Sequence, residues 1–128
     1  MDVLVNATTL VKGGGVQVGA SFVAESLKDA EKQDADNSDI TWHYALSPQV
    51  AREVGHEVPR SVLFETSPSR DKNTRAGVIQ LQKDLGVDAV FTVFGPAYTQ
   101  FTGGIYIIVK LLINLDTRFS CSNLCLVR

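Results

Sequence analysis

Four short apolar runs, each separated from the next by a stretch of helical character, constrain the fold of this chain more than any other feature. They occupy residues 3–6, 40–46, 61–66 and 88–94. The first (Val-Leu-Val-Asn) and the last are apolar on both faces of an extended chain, as expected of strands buried in a parallel sheet rather than strands with one wet face. Between them the period changes. Val16, Ala20, Val23, Leu27 and Ala30 draw one stripe down a helix, which the polar stretch 33–39 should end. Ser47-Pro48 reads as an N-cap followed by Pro at the first helical position, with Gly55 as the stop. After Pro59 and a third strand, Ser67-Pro68-Ser69 makes a loop. A charged helix over about residues 71–85 then places Val78, Leu81 and Leu85 on one face and stops at Gly86.

The alternation β-α-β-α-β-α-β with short connections predicts an α/β domain: a parallel sheet in the order 3-2-1-4, with helices on both faces. Room remains for a further strand in the apolar run 105–115, which is too short for a membrane span of ~20 residues. In that order the first and fourth strands are neighbours, and the loops leaving their carboxyl ends meet in a crevice.

One of those loops carries Lys12-Gly13-Gly14-Gly15-Val16-Gln17. The first N–H groups of a helix lack intrahelical partners and sit at the positive end of its dipole, so glycines there admit a phosphate or a sugar hydroxyl. Gly13, Gly14, Gly15, Val16 and Gln17 are therefore the expected anion-binding residues. Gly95-Pro96-Ala97-Tyr98, after the fourth strand, should face them across the crevice.

Several alternatives fall away on spacing and charge. In the dinucleotide fingerprint the first glycine follows the strand almost at once, whereas residues 7–12 intervene here, and no acid closes the second strand. A Walker loop needs Lys-Ser/Thr where Val16-Gln17 stands. A net charge of -2 with no basic tract gives no case for nucleic acid. The N-terminus lacks the pattern of a secretory signal, so a cytoplasmic chain is expected. Cys121 and Cys125 fall short of a zinc set, so no metal is expected. His43, between Trp42 and Tyr44 in a strand, and His56, in a loop, read as structural residues. Glu65 is the one carboxylate near the binding edge, with a loop hydrogen bond as its simpler role. No residue is assigned a catalytic role.

Residues 3–7 (Val-Leu-Val-Asn-Ala), the delayed Lys-Gly-Gly-Gly-Val-Gln, the Ser47-Pro48 helix start and residues 91–98 (Phe-Thr-Val-Phe-Gly-Pro-Ala-Tyr) together resemble the N-terminal half of bacterial glycosyltransferases built from two Rossmann-like domains. The resemblance covers roughly residues 2–102 and implies a Rossmann-like three-layer domain over 1–103. It implies no cofactor, a nucleotide-sugar donor as substrate, and a saccharide or lipid-linked acceptor, at the cytoplasmic face of the inner membrane or free in the cytoplasm. Carried over, Gly14, Gly15 and Val16 present backbone to the donor, while Gly95, Pro96 and Tyr98 border the acceptor pocket. The second domain with its paired glutamates, and the His-containing loop after the fourth strand, have no counterpart here. Residues 104–128 accordingly read as an atypical tail, frameshifted or truncated, and the chain as inactive alone. The other class of reading is a non-enzymatic α/β module that binds a small ligand or a protein in the same crevice.

Overall fold

A computed structural model describes residues 1–36, 40–93, 105–109 and 124–127. The elements run β1 (Asp2–Ala7), α1 (Gly14–Asp36), β2 (Thr41–Leu46), α2 (Pro48–Val54), β3 (Ser61–Leu63), α3 (Lys72–Leu85), β4 (Ala89–Val93), β5 (Ile105–Val109) and β6 (Leu124–Val127). They form one sheet in the order β3-β2-β1-β4-β5-β6. The first five strands pair in parallel and β6 returns antiparallel on β5. The expected order 3-2-1-4 is thus present, extended on the β4 side by two strands. The sequence reading left room for one of these, and the pairing of residues 124–127 had no periodic signal to announce it.

β1 is the central strand of the first four, paired with β2 on one side and β4 on the other. Val5 stands opposite both Tyr44 and Phe91. Its alternate residues feed two cores, because successive side chains of a strand point to opposite faces. Val5 and Ala7 join Val16, Ala20, Val23 and Val50 beneath α1 and α2. Leu4 joins Ala45 and Val90 beneath α3, where Leu81, Leu85 and Phe64 pack against them. Helices therefore cover both faces of the sheet. β1 and β4, buried on each side over nearly their whole length, leave little room for a solvated residue, which explains their apolar runs, whereas Val62 and Leu63 of the edge strand β3 are exposed.

Phe91 closes the α1 face farther down, its ring 6.0 Å from that of Phe22 and 6.1 Å from that of Trp42. Behind them the Tyr44 hydroxyl lies 2.9 Å from Ser26 Oγ, and Ser26 donates to the Val23 carbonyl at 2.7 Å. Burial raises the pKa of the Tyr44 phenol above its ordinary range, only partly offset by the Ser26 hydrogen bond.

Two boundaries differ from expectation. α1 begins at Gly14 and continues to Asp36, through residues read as its terminator. Glu31, Lys32, Gln33 and Ala35 are all good helix formers, and a helix that has already packed its stripe can extend a polar end into solvent without a core to bury. β3 ends at Leu63 rather than Thr66. Its one ladder partner, β2, stops at Leu46, so after Phe64 donates to the Leu46 carbonyl at 2.9 Å the chain has nothing to pair with. Thr66 turns instead to the cap of α3, 2.9 Å from the Thr74 hydroxyl and 3.3 Å from Asp71.

Candidate functional site at the carboxyl end of the central strand

β1 delivers the chain to the carboxyl edge of the sheet at Ala7, and the next six residues turn it into α1. The turn is held by a buried side chain. Asn6 Oδ1 accepts from the Thr8 backbone N–H at 3.2 Å and from the Thr8 hydroxyl at 2.7 Å, an arrangement that lets Asn redirect the backbone without a glycine. Leu10 then folds inward, 4% exposed, and its carbonyl accepts the Ser47 hydroxyl at 2.5 Å. The same Ser47 oxygen accepts the Val50 N–H at 3.2 Å, as the N-cap of α2. One hydroxyl thus caps a helix and fastens the loop to it.

The glycines divide by role. Gly13 has φ 72°, the left-handed region that a side chain resists, and its carbonyl accepts the Val16 N–H at 3.2 Å. Gly14 is the first residue of α1, and a Cβ there would meet nothing within 4 Å. A Cβ on Gly15 would sit 3.2 Å from Leu10 Cδ2, and one on Gly19 would overlap Leu10 Cδ1. Gly15 and Gly19 therefore make room for Leu10. The conformational constraint expected of the triplet falls on Gly13 and not on Gly15, whose backbone is helical.

The three helices differ at their starts. α2 is capped by Ser47, and α3 by Asp71, whose carboxylate accepts from the Asn73 N–H at 3.0 Å. Among the described residues no side chain accepts from the first N–H groups of α1. The first turn, with Gly14 and Gln17 exposed, Gly15 half-buried and Val16 buried, lies at the carboxyl edge beside a cleft of about 270 Å³ lined by Val11, Gly13, Val16, Gln17, Gln49, Arg52 and Glu53.

The cleft joins Gly13, Val16 and Gln17 from the expected set, and Gly14 and Gly15 lie beside it in the chain. Gly95, Pro96 and Tyr98 lie outside the described residues. Gln49, Arg52 and Glu53 were missed by sequence reasoning. Their spacing along α2 was legible, but only the packing of α2 against α1 brings that face to the glycine loop.

The remaining candidates lie elsewhere. His43 Nε2 is 2.9 Å from Asp2 Oδ1, toward the opposite edge of the sheet. His56 is exposed, its Nδ1 3.1 Å from the Glu57 carbonyl. Glu65 is exposed on the loop after β3. Among the described residues no cluster of His, Cys, Asp and Glu is placed to hold a metal, and no helix is long and apolar enough to cross a membrane. No protein-family model matches the chain, and no curated protein and no solved structure matches it.

Proposed function

We propose that the chain is the acceptor-side domain of a glycosyltransferase of the two-Rossmann-domain type, and that the start of α1 receives the diphosphate of a nucleotide-sugar donor. The observation that carries this reading is the first turn of α1, for which no described side chain serves as a cap, set at the carboxyl end of a central parallel strand and fronted by glycine. A Ser or Asp at the cap, as α2 and α3 have, supplies a side-chain acceptor and is worth a few tenths of a kcal/mol over glycine. Here that position is Gly13, and Gly14 leaves open space in front of the N–H groups. Glycosyl transfer leaves negative charge on the departing diphosphate, and fixed N–H donors at the positive end of a helix dipole stabilise it without reorganising. Gly13, Gly14, Gly15 and Gln17 contribute through backbone, and Val16, whose N–H is held by the Gly13 carbonyl, through its place in the first turn. The acceptor, a saccharide or lipid-linked saccharide, is held by the same domain, with Gly95, Pro96 and Tyr98 on its border. No cofactor is required, since the donor carries its own leaving group.

The test is ligand-detected NMR with uridine diphosphate, using uridine as control. The parent chain should bind the diphosphate and not the nucleoside. Gly14→Val should lose that binding while keeping the parent's thermal midpoint, because the added side chain enters open space and valine is no worse than glycine in a helix. Equal binding by the variant would remove the α1 start from the site.

A further inference from the structure

We propose that the free edge of β3 pairs antiparallel with β3 of a second copy of this chain, about a two-fold axis at Val62. β3 ends the sheet on its side, with β2 as its one described neighbour. The Tyr44 N–H donates to the Arg60 carbonyl at 3.0 Å, and the Phe64 N–H donates to the Leu46 carbonyl at 2.9 Å. Backbone groups along a strand serve its two sides alternately, so residues 60, 62 and 64 bond toward β2. The N–H and C=O groups of Ser61 and Leu63 therefore point away from the sheet, where no described strand receives them. The side chains there are uncovered as well. Val62 is 42% exposed and Leu63 51%, and with Met1 they are the exposed large apolar residues among those described. Proline, charge or a bulge usually blunts such an edge. Ser61–Leu63 contains neither proline nor charge, and its register with Tyr44–Leu46 is unbroken.

The edge fits its own copy. In an antiparallel pair centred on Val62, Ser61 lies opposite Leu63 of the second copy and exchanges both N–H···O bonds with it. The two-fold axis repeats the exchange, so every outward N–H and C=O of Ser61 and Leu63 finds a partner. The two Val62 side chains meet at the axis, in the closer, non-hydrogen-bonded kind of position. Charge selects the same direction. Arg60 and Glu65 are exposed at opposite ends of the edge, and neither forms an ion pair with a described residue. Antiparallel pairing sets Arg60 of each copy beside Glu65 of the other, whereas a parallel, in-register pairing sets like charges together. A foreign strand must match the apolar centre and both charges separately; a second copy meets all three by symmetry. An edge of three residues engages less surface than the about 1,200 Å² of a stable interface, so the pair is weak and reversible.

Sedimentation velocity of the 128-residue chain tests this, from about 10 μM to about 1 mM, a range that spans weak affinities. A monomer at the dilute end should give way to a dimer as concentration rises. The amide protons of Ser61 and Leu63 should gain protection from hydrogen exchange over the same range. Val62→Lys sets like charges face to face at the axis and should abolish the dimer throughout. Its thermal midpoint at the dilute end should stay near the parent's, because the side chain is already half-exposed. Should that variant fail to fold, the exposed charges carry the test. Arg60→Glu and Glu65→Arg should each weaken the dimer about tenfold, the axis repeating the contact, and the double reversal should restore it. A chain still monomeric at about 1 mM, a dimer that Val62→Lys leaves intact, or a double reversal no tighter than the single ones would overturn the proposal.

Discussion

At the scale of single residues, four glycines within seven positions answer to three different constraints, and their alanine variants should separate them. Replacement of Gly by Ala inside a helix is worth up to about 1 kcal/mol in propensity, which Gly14→Ala can realise because its Cβ meets nothing. Gly19→Ala makes the same gain but drives its methyl into the buried Leu10, and overpacking of that kind costs about 1–3 kcal/mol. Gly13→Ala must hold a side chain at φ 72°, a loss of about 1 kcal/mol. Urea midpoints should therefore rank Gly14→Ala at or above the parent, with Gly13→Ala and Gly19→Ala below it. A Gly19→Ala midpoint above that of Gly14→Ala would show that Leu10 does not pack where described. Which glycine bears which constraint was not legible in the triplet. That a glycine was needed at the strand exit was.

At the scale of elements, the ends of α2 and α3 were the most legible parts of the chain, because capping is local chemistry within four residues, whereas α1 runs on through residues read as its terminator. Ser47-Pro48 and Gly55 bound α2 as read, with Gly55 left-handed and its N–H on the Ala51 carbonyl at 3.4 Å. Asp71 and Gly86 bound α3 in the same way. Asp71 accepts the Asn73 N–H and, at 2.9 Å, the Thr74 hydroxyl, and these hydrogen bonds hold its carboxyl below the ordinary carboxylate range. A folded-state value below the unfolded one means that the cap stabilises the fold above the unfolded carboxylate range. That contribution disappears as pH falls through the lowered folded value. Asp71→Asn retains an N-cap that does not titrate. Its thermal midpoint should fall less steeply than the parent's on acidification, and parallel acid profiles would show that the Asp71 hydrogen bonds do not persist in solution. The strand ends were read less well, since β3 stops where its partner stops and no residue of β3 itself announces that.

For the whole molecule, the proposed function makes the sheet edge one wall of a cleft. Glycosyl transfer requires donor and acceptor to be held in line, and orientation alone is worth many orders of magnitude in rate. On the proposed function, the 128 residues by themselves should bind without turning over, so that no nucleotide sugar is consumed in the presence of simple methyl glycosides. Turnover by the purified chain would contradict it. The order β3-β2-β1-β4 was legible because apolar runs on both faces demand a parallel sheet with covering helices, and few chain paths satisfy that demand. The same local patterns located the glycine loop at the edge of the sheet where helix starts collect. The partner of that loop was not legible. Leu10 on Gly15 and Gly19, Ser47 on the Leu10 carbonyl, and Gln49, Arg52 and Glu53 beside Gln17 all join residues more than a helical turn apart in sequence or on different elements. Periodicity and capping are set by neighbours along the chain, and so the sequence by itself determined the elements from β1 to β4 and their order. Which faces meet depends on how side chains of separate elements fill shared volume, and that only the tertiary structure decided.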